Sequence, residues 1–128
     1  MLHTVGAIIF NYEGKILIQD HVKIGGLTLP SGKLDAGEDP VEGLKRELRE
    51  ELDVGCVVVS SLLLSWEEHF EELGDVKQHL YGAVIDKEPT NVEPEKHPSL
   101  QWLTPKEIQA SGKYCSSYLR HALTILNK

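Results

Sequence analysis

The sequence predicts an α/β fold, a mixed sheet flanked by helices. Three observations predict it. β-branched runs recur between short turn signals, as strands do. A helical pattern with one apolar stripe (Val41, Leu44, Leu48, Leu52) occupies the middle of the chain. A second amphipathic pattern closes it, with Tyr118, Leu119, Ala122, Leu123 and Leu126 at helical spacing. Strands interleaved with helices build layers around a sheet. At 128 residues the chain is long enough for a sizeable core, and one domain is expected over 1–128.

Residues 4–10 are β-rich, 11–14 read as a turn, and 15–20 return as a second strand, which predicts a hairpin. Residues 22–27 contain Gly25-Gly26 and read as an exposed connecting loop. Thr28 and Leu29 close a short strand, and residues 29–32 form a loop whose backbone can approach a ligand. Asp39 caps a helix, Pro40 takes its first position, Glu42 completes a capping box, and Val54-Gly55 mark the stop. Residues 56–65 read as one strand and 66–72 as more polar. Gly74-Asp75 is a turn signal, and 76–85 return as a strand. His69 and His79 sit symmetrically about that turn and are expected to face each other, as a surface pair rather than a zinc pair. Residues 87–98 are a loop rich in Pro and Glu, 100–103 a short strand, 105–110 a short helix, and 114–126 the terminal helix.

Composition narrows the function. Hydrophobic residues make up 41% and charged residues 26%, ordinary for a globular protein. No apolar run is long enough to span a membrane. The first residues carry neither a basic lead-in nor a small-residue cleavage site and read as a strand. Two cysteines, Cys56 and Cys115, make no disulfide framework, so a cytoplasmic location is the default and both read as buried small side chains. A net charge of −7 argues against a nucleic-acid surface. It also means that a phosphate ligand would need cations between itself and the protein.

The chemistry concentrates between Gly32 and Val54. Positions i, i+3 and i+4 of a helix share a face, so Glu47, Glu50 and Glu51 crowd together beside Arg46. Opposite charges at i+4 explain part of this face: Glu42 can meet Arg46, and Arg46 can meet Glu50. Glu47 and Glu51 have no cation at helical spacing. Like charges so placed repel by a few tenths of a kcal/mol each. Compensation must come from outside the helix, from a divalent metal or from a cation elsewhere in the fold.

This stretch resembles the signature of the Nudix hydrolases, G-x5-E-x7-R-E-U-x-E-E-x-G-U with U aliphatic. Gly32, Glu38, Arg46, Glu47, Leu48, Glu50, Glu51 and Val54 fall in register, eight of nine positions. The departure is Asp53, where the family has Gly. An Asp can take the left-handed conformation a Gly would adopt there, at some cost. The resemblance implies an α/β/α sandwich with a mixed β-sheet. It assigns metal binding to Glu47, Glu50 and Glu51, and catalysis to Glu47 with Arg46 and Glu50. The implied ion is Mg2+, with Mn2+ as a possible substitute. Gly32 shapes the loop, and Glu38 pairs with Arg46 or Lys33. The general base is Glu47 in some relatives and a downstream acid in others, for which Glu93 and Glu95 are the candidates here.

The resemblance also implies a substrate class, a nucleoside diphosphate linked to another group. The short chain and the segment Glu93-Pro94-Glu95-Lys96 point to a MutT-like nucleoside triphosphate pyrophosphohydrolase giving monophosphate and pyrophosphate. The alternatives are an ADP-ribose or dinucleoside polyphosphate hydrolase and a non-catalytic nucleotide sensor. The expected partner is a small nucleotide, with no membrane, and the protein a monomer or homodimer. Phe70, Tyr81, Trp66 and Trp102 are candidates for base stacking and equally for core.

Overall fold

A computed structural model describes residues 1–127. Its elements are β1 (Leu2–Ile9), β2 (Ile16–His21), β3 (Gly26–Thr28), β4 (Ser31–Lys33), α1 (Pro40–Leu52), β5 (Cys56–Val59), β6 (Leu64–Phe70), β7 (Gly74–Ile85), β8 (Leu100–Leu103), α2 (Pro105–Ala110) and α3 (Ser117–Leu126). The larger sheet runs β4-β1-β7-β5, with β6 also on β7, and the smaller runs β3-β2-β8. β1 and β7 are parallel over eight pairs, from Leu2↔Val76 to Ile9↔Ala83, and the other pairings are antiparallel. The sheet is therefore mixed, as expected.

β1 explains the layering. Side chains alternate across a strand. Val5, Ala7 and Ile9 enter one core with Leu44, Leu48 and Leu52 of α1. Ile8 enters the other with Tyr118, Leu119 and Ala122 of α3. A strand buried on both faces reads as a continuous apolar run, which is how residues 4–10 appear. Gly6 lets α3 approach, because a Cβ there would lie 2.8 Å from the Tyr118 ring.

The expected hairpin of β1 and β2 does not form. Apart from a single bridge, Phe10↔Ile16, the two strands lie in different sheets. The turn at 11–14 is real, with the Asn11 side chain accepting from the Glu13 and Lys15 amides. β2 is itself buried on both sides, with Leu17 in one core and Ile16 and Ile18 in the other. A doubly buried strand takes its partners from the whole fold, and the turn does not choose them. The same override acts elsewhere. The short strand expected at Thr28 begins earlier, at Gly26, Ser31–Lys33 is a strand where loop was expected at Ser31 and Gly32, and 56–65 divides into β5 and the start of β6. The polar stretch after residue 65 begins with the rest of β6, in which Glu67 and His69 face solvent. α3 begins at Ser117, three residues later than expected, because Ser116 caps it by accepting from the Leu119 amide. His69 and His79 do not meet: His69 pairs with Asp75, and His79 stacks on His3. Cys56 and Cys115 are free and half-buried rather than fully buried. Among the described residues no helix is long and apolar enough to cross a membrane.

The α1–sheet core should dominate stability. Leu48 is 1% exposed, so Leu48→Ala should cost about 3 kcal/mol in urea unfolding. Leu62→Ala, at a side chain 46% exposed, should stay within about 0.5 kcal/mol. Equal losses at the two positions would contradict this placement of the core.

Candidate active site

α1 presents its acids because its ends are fixed. Asp39 accepts from the Glu42 amide, and Pro40 occupies the first turn. The reciprocal half of the expected box is not used: the Glu42 side chain turns to Lys45, 3.7 Å away, and not to Arg46. At the other end Asp53 is left-handed, with φ 54° and ψ 44°, and its amide returns to the Arg49 carbonyl. Among the described residues it is the one non-glycine with positive φ. The position that departs from the family pattern thus keeps the conformation that Gly would supply.

Arg46 is released to organise the acids. Its Nε and Nη2 grip the Glu38 carboxylate, both at 2.9 Å. Nη2 also donates to the Lys33 carbonyl at 3.0 Å. Nη1 donates to Glu47 at 3.1 Å and to Glu50 at 3.2 Å. Of the two partners expected for Glu38, the structure selects Arg46. It also supplies Glu47 with a cation that helical spacing alone did not reveal, from the adjacent residue. The guanidinium holds Glu38 down to about 2, and the surrounding carboxylates raise Arg46 above its ordinary value.

Glu47 and Glu51 stand in less favourable surroundings. Burial pushes Glu47 upward, against the pull of Arg46. Glu51 is 8% exposed. Burial first, then the charges of Glu47 and Glu93, push it up to about 8. Its Oε2 is buried with no hydrogen-bond partner. Such an atom calls for a missing proton or cation. Gly32 brings the loop against Glu47, since a Cβ there would collide with the Glu47 carboxyl group.

These groups line an open cleft of about 730 Å³. Glu47, Glu50 and Glu51 line it with Glu93 and Glu95, the expected metal ligands beside the downstream candidates, while Glu38 stays on Arg46 outside it. The 87–98 loop is tied down to do this. Thr90 and Val92 amides cap the Leu52 and Glu51 carbonyls of α1, and the Val22 amide bonds the Lys96 carbonyl. Sequence reasoning missed the cationic side of the cleft, Lys23, Lys33 and Lys96 with His21 and His97. Their only signal was position: Lys33 comes directly after Gly32, Lys96 directly after Glu95, and Lys23 lies in the loop preceding the box. Tyr81 is core, and Trp66 and Trp102 pack against the two cores.

The donor set fits a hard divalent cation in kind: clustered carboxylates, one with an orphaned buried oxygen. Among the described residues, no three His, Cys, Asp or Glu side chains already converge on one point. Arg46 holds Glu47 and Glu50 in their present places.

The profile of the NUDIX domain family matches residues 2–119. The chain belongs to the Nudix family. An RNA pyrophosphohydrolase of Gluconacetobacter diazotrophicus is 39% identical, over 49% of this chain and 43% of that one. One of Bartonella clarridgeiae is 32% identical, over 64% of this chain and 50% of that one. The matched region thus spans half or less of these relatives' length. The crystal structure of a MutT Nudix hydrolase from Burkholderia pseudomallei superposes with TM-score 0.84 at 26% identity, covering 96% of this chain and 95% of that one. The Nudix domain of Shewanella oneidensis NrtR, solved with ADP ribose, shares the fold at TM-score 0.72 and 18% identity, over 94% and 82%.

Glu51 yields a pH prediction. Its folded pKa, about 8, exceeds the ordinary 4.5. The folded state therefore keeps a proton that the unfolded chain releases, and the associated stability is full below pH 4.5 and lost as pH rises toward 8. At about 1.4 kcal/mol per unit the swing is on the order of a few kcal/mol. In chelator, the stability of wild type relative to Glu51→Gln should fall across that window; a flat difference would remove the burial argument. Gly32→Ala meets only the movable end of Glu47. It should stay folded while weakening the rise in melting temperature expected of the wild type on adding magnesium. An undiminished rise would show that the close approach is dispensable.

Proposed function

We propose that this chain is a magnesium-dependent hydrolase of nucleoside diphosphates linked to another group, in the first instance a nucleoside triphosphate pyrophosphohydrolase. The observation that carries this reading is one cleft holding both the acids of the box helix and a row of lysines. Glu47, Glu50 and Glu51 would hold the divalent ion. When bound, Mg2+, or Mn2+ in its place, neutralises phosphate charge and acidifies water. Lys23, Lys33 and Lys96 line the same cleft and receive the anionic phosphates. Glu47 is the first candidate to take the proton from the attacking water, with Glu93 or Glu95 as the alternative from the facing loop. Arg46 is a positioning residue, acting through Glu47 and Glu50. A small nucleotide suits a protein of net charge −7 better than a long polyanion.

A second reading comes from the names of the similar proteins, which include RNA pyrophosphohydrolases. It would place the 5′ triphosphate of an RNA in the same cleft and leave the residue roles unchanged.

A substrate panel with magnesium separates the readings: nucleoside triphosphates, oxidised forms, ADP-ribose, diadenosine polyphosphates and 5′-triphosphorylated RNA. Pyrophosphate and monophosphate from free triphosphates are expected. Release from RNA alone would favour the second reading, and silence on every substrate would end both. Glu47→Gln should lower kcat by about 100-fold or more at unchanged melting temperature. Retained turnover would remove Glu47 from the chemistry.

A further inference from the structure

A second cavity, of about 430 Å³, adjoins the cleft and shares His21, Lys23, Gly32 and Lys33 with it. A third, of about 400 Å³, shares no residue with either. Phe10, Val58, Leu63 and Val84 line it with Ile125 and Leu126 at the end of α3. The sheet explains its place. Ile8 pairs with Gly82, Val58 pairs with Val84, and alternate residues share a face. Phe10, Val58 and Val84 therefore lie on the face that α3 covers at Ile8. Ile8 is buried there, whereas Phe10, Val58, Val84 and the adjoining Leu62 and Leu63 are between 42% and 56% exposed.

The same place is an edge of the larger sheet. Among the described residues β5 pairs with β7 alone, so its outer side has no strand beside it. An open edge is a template for another strand, and proteins protect such edges with charges, Pro or bulges. β5 has one bulge, between Cys56 and Val58, after which Val58 and Val59 return to register. It has no charge and no Pro. Residues 54–66 carry none either, in a chain that is 26% charged.

Charge and area decide what covers this face. A chain of net charge −7 repels its own copies through most of its surface, and here it offers them a face without charge. The charges near β5, Lys45, Arg49 and Asp86, gather at its Cys56 end. Antiparallel pairing of β5 with its own copy about a two-fold axis sets that end against Ser60 and Ser61 of the other copy, so like charges do not meet. Five large apolar side chains, each about half exposed, offer on the order of 500 Å². A stable pair needs about 800 Å² from each partner. The side chains alone fall short, and the backbone of β5 must add to them. Association is therefore weak, with a dissociation constant on the order of tens of micromolar.

We infer that the β5 edge and the apolar face beside it bind a second copy of this chain about a two-fold axis, joining the two larger sheets into one. This inference involves none of the cleft residues and is independent of the catalytic reading. The test is sedimentation equilibrium of the native chain from low micromolar to near millimolar concentration, beside hydrogen exchange over the same range. A monomer–dimer equilibrium is expected, with the amides of residues 58–63 gaining protection as the dimer fills. Val58→Lys sets two ammonium groups near the two-fold axis and should weaken association by about ten-fold or more. Val84→Lys, opposite Val58 on β7, should do the same. Both positions are exposed, so either variant that keeps the native melting temperature decides the question. Leu73→Lys, at a side chain 46% exposed outside the patch, should leave association unchanged. A chain that stays monomeric throughout overturns the inference, and so does a dimer that both lysine variants leave intact. A monomer whose 58–63 amides are protected by an unrelated hydrophobic strand peptide assigns the face to another protein and overturns it too.

Discussion

The site depends on one guanidinium. Arg46 has five N–H donors in a rigid fork, and the structure uses them on Glu38, the Lys33 carbonyl, Glu47 and Glu50. The contact to Lys33 ties α1 to β4, and the grip on Glu38 fixes the loop leading into the helix. The remaining contacts hold two acids at the cleft. A lysine, with three donors on a point charge, has no such fork. One side chain thus joins strand, loop and helix while holding Glu47 and Glu50 at the cleft. Three neighbouring acids become tolerable because their repulsion is shared with a half-buried cation.

Glu51 is left out of that arrangement, and its isolation is informative. Its backbone is well satisfied, with the Val92 amide on its carbonyl. Its side chain is buried and has an oxygen without a partner. A buried carboxyl kept only for packing is replaced at little loss by an apolar residue. The cost is carried in a chain that is already acidic, beside Glu93 and across from lysines. The cleft mixes both signs, with the carboxylates of α1 beside the Glu93–Lys96 pair of the 87–98 loop and Lys33 of β4, which matches an anion bound through a cation.

Sequence and structure agree where the constraint is local. The caps of α1, its apolar stripe, the acid face and the left-handed Asp53 are all set by residues within a turn or two of each other. The partners of β2 were not legible, because Ile16, Leu17 and Ile18 are buried whichever strand lies beside them. The lysines of the cleft were not legible either, since Lys23 and Lys96 become neighbours only when the 87–98 loop is anchored on the end of α1 and on β2. Glu38 stood with two possible partners, and a geometric fact decided between them: Lys33 offers its carbonyl, not its ammonium, to this network. His69 and His79 were misjudged because symmetry about a turn is not register. β7 begins at Gly74, which sets His69 opposite Asp75 and Ser65 opposite His79.

The cleft and the second cavity share His21, Lys23, Gly32 and Lys33, the last two on β4 where the box opens. On one side lie groups suited to phosphate and metal, from α1, β2, β4 and the facing loops. On the other lie Glu68, Gln78 and Ser117, from β6, β7 and α3. Nothing couples the identities of the two sets except the strand pairing that holds them at a common edge. Substitution in β6 or α3 can therefore alter the second cavity without disturbing Arg46 or its acids. That separation explains why a nearly intact box leaves the second cavity open: most of the residues that line it lie on other elements, where the box imposes no constraint.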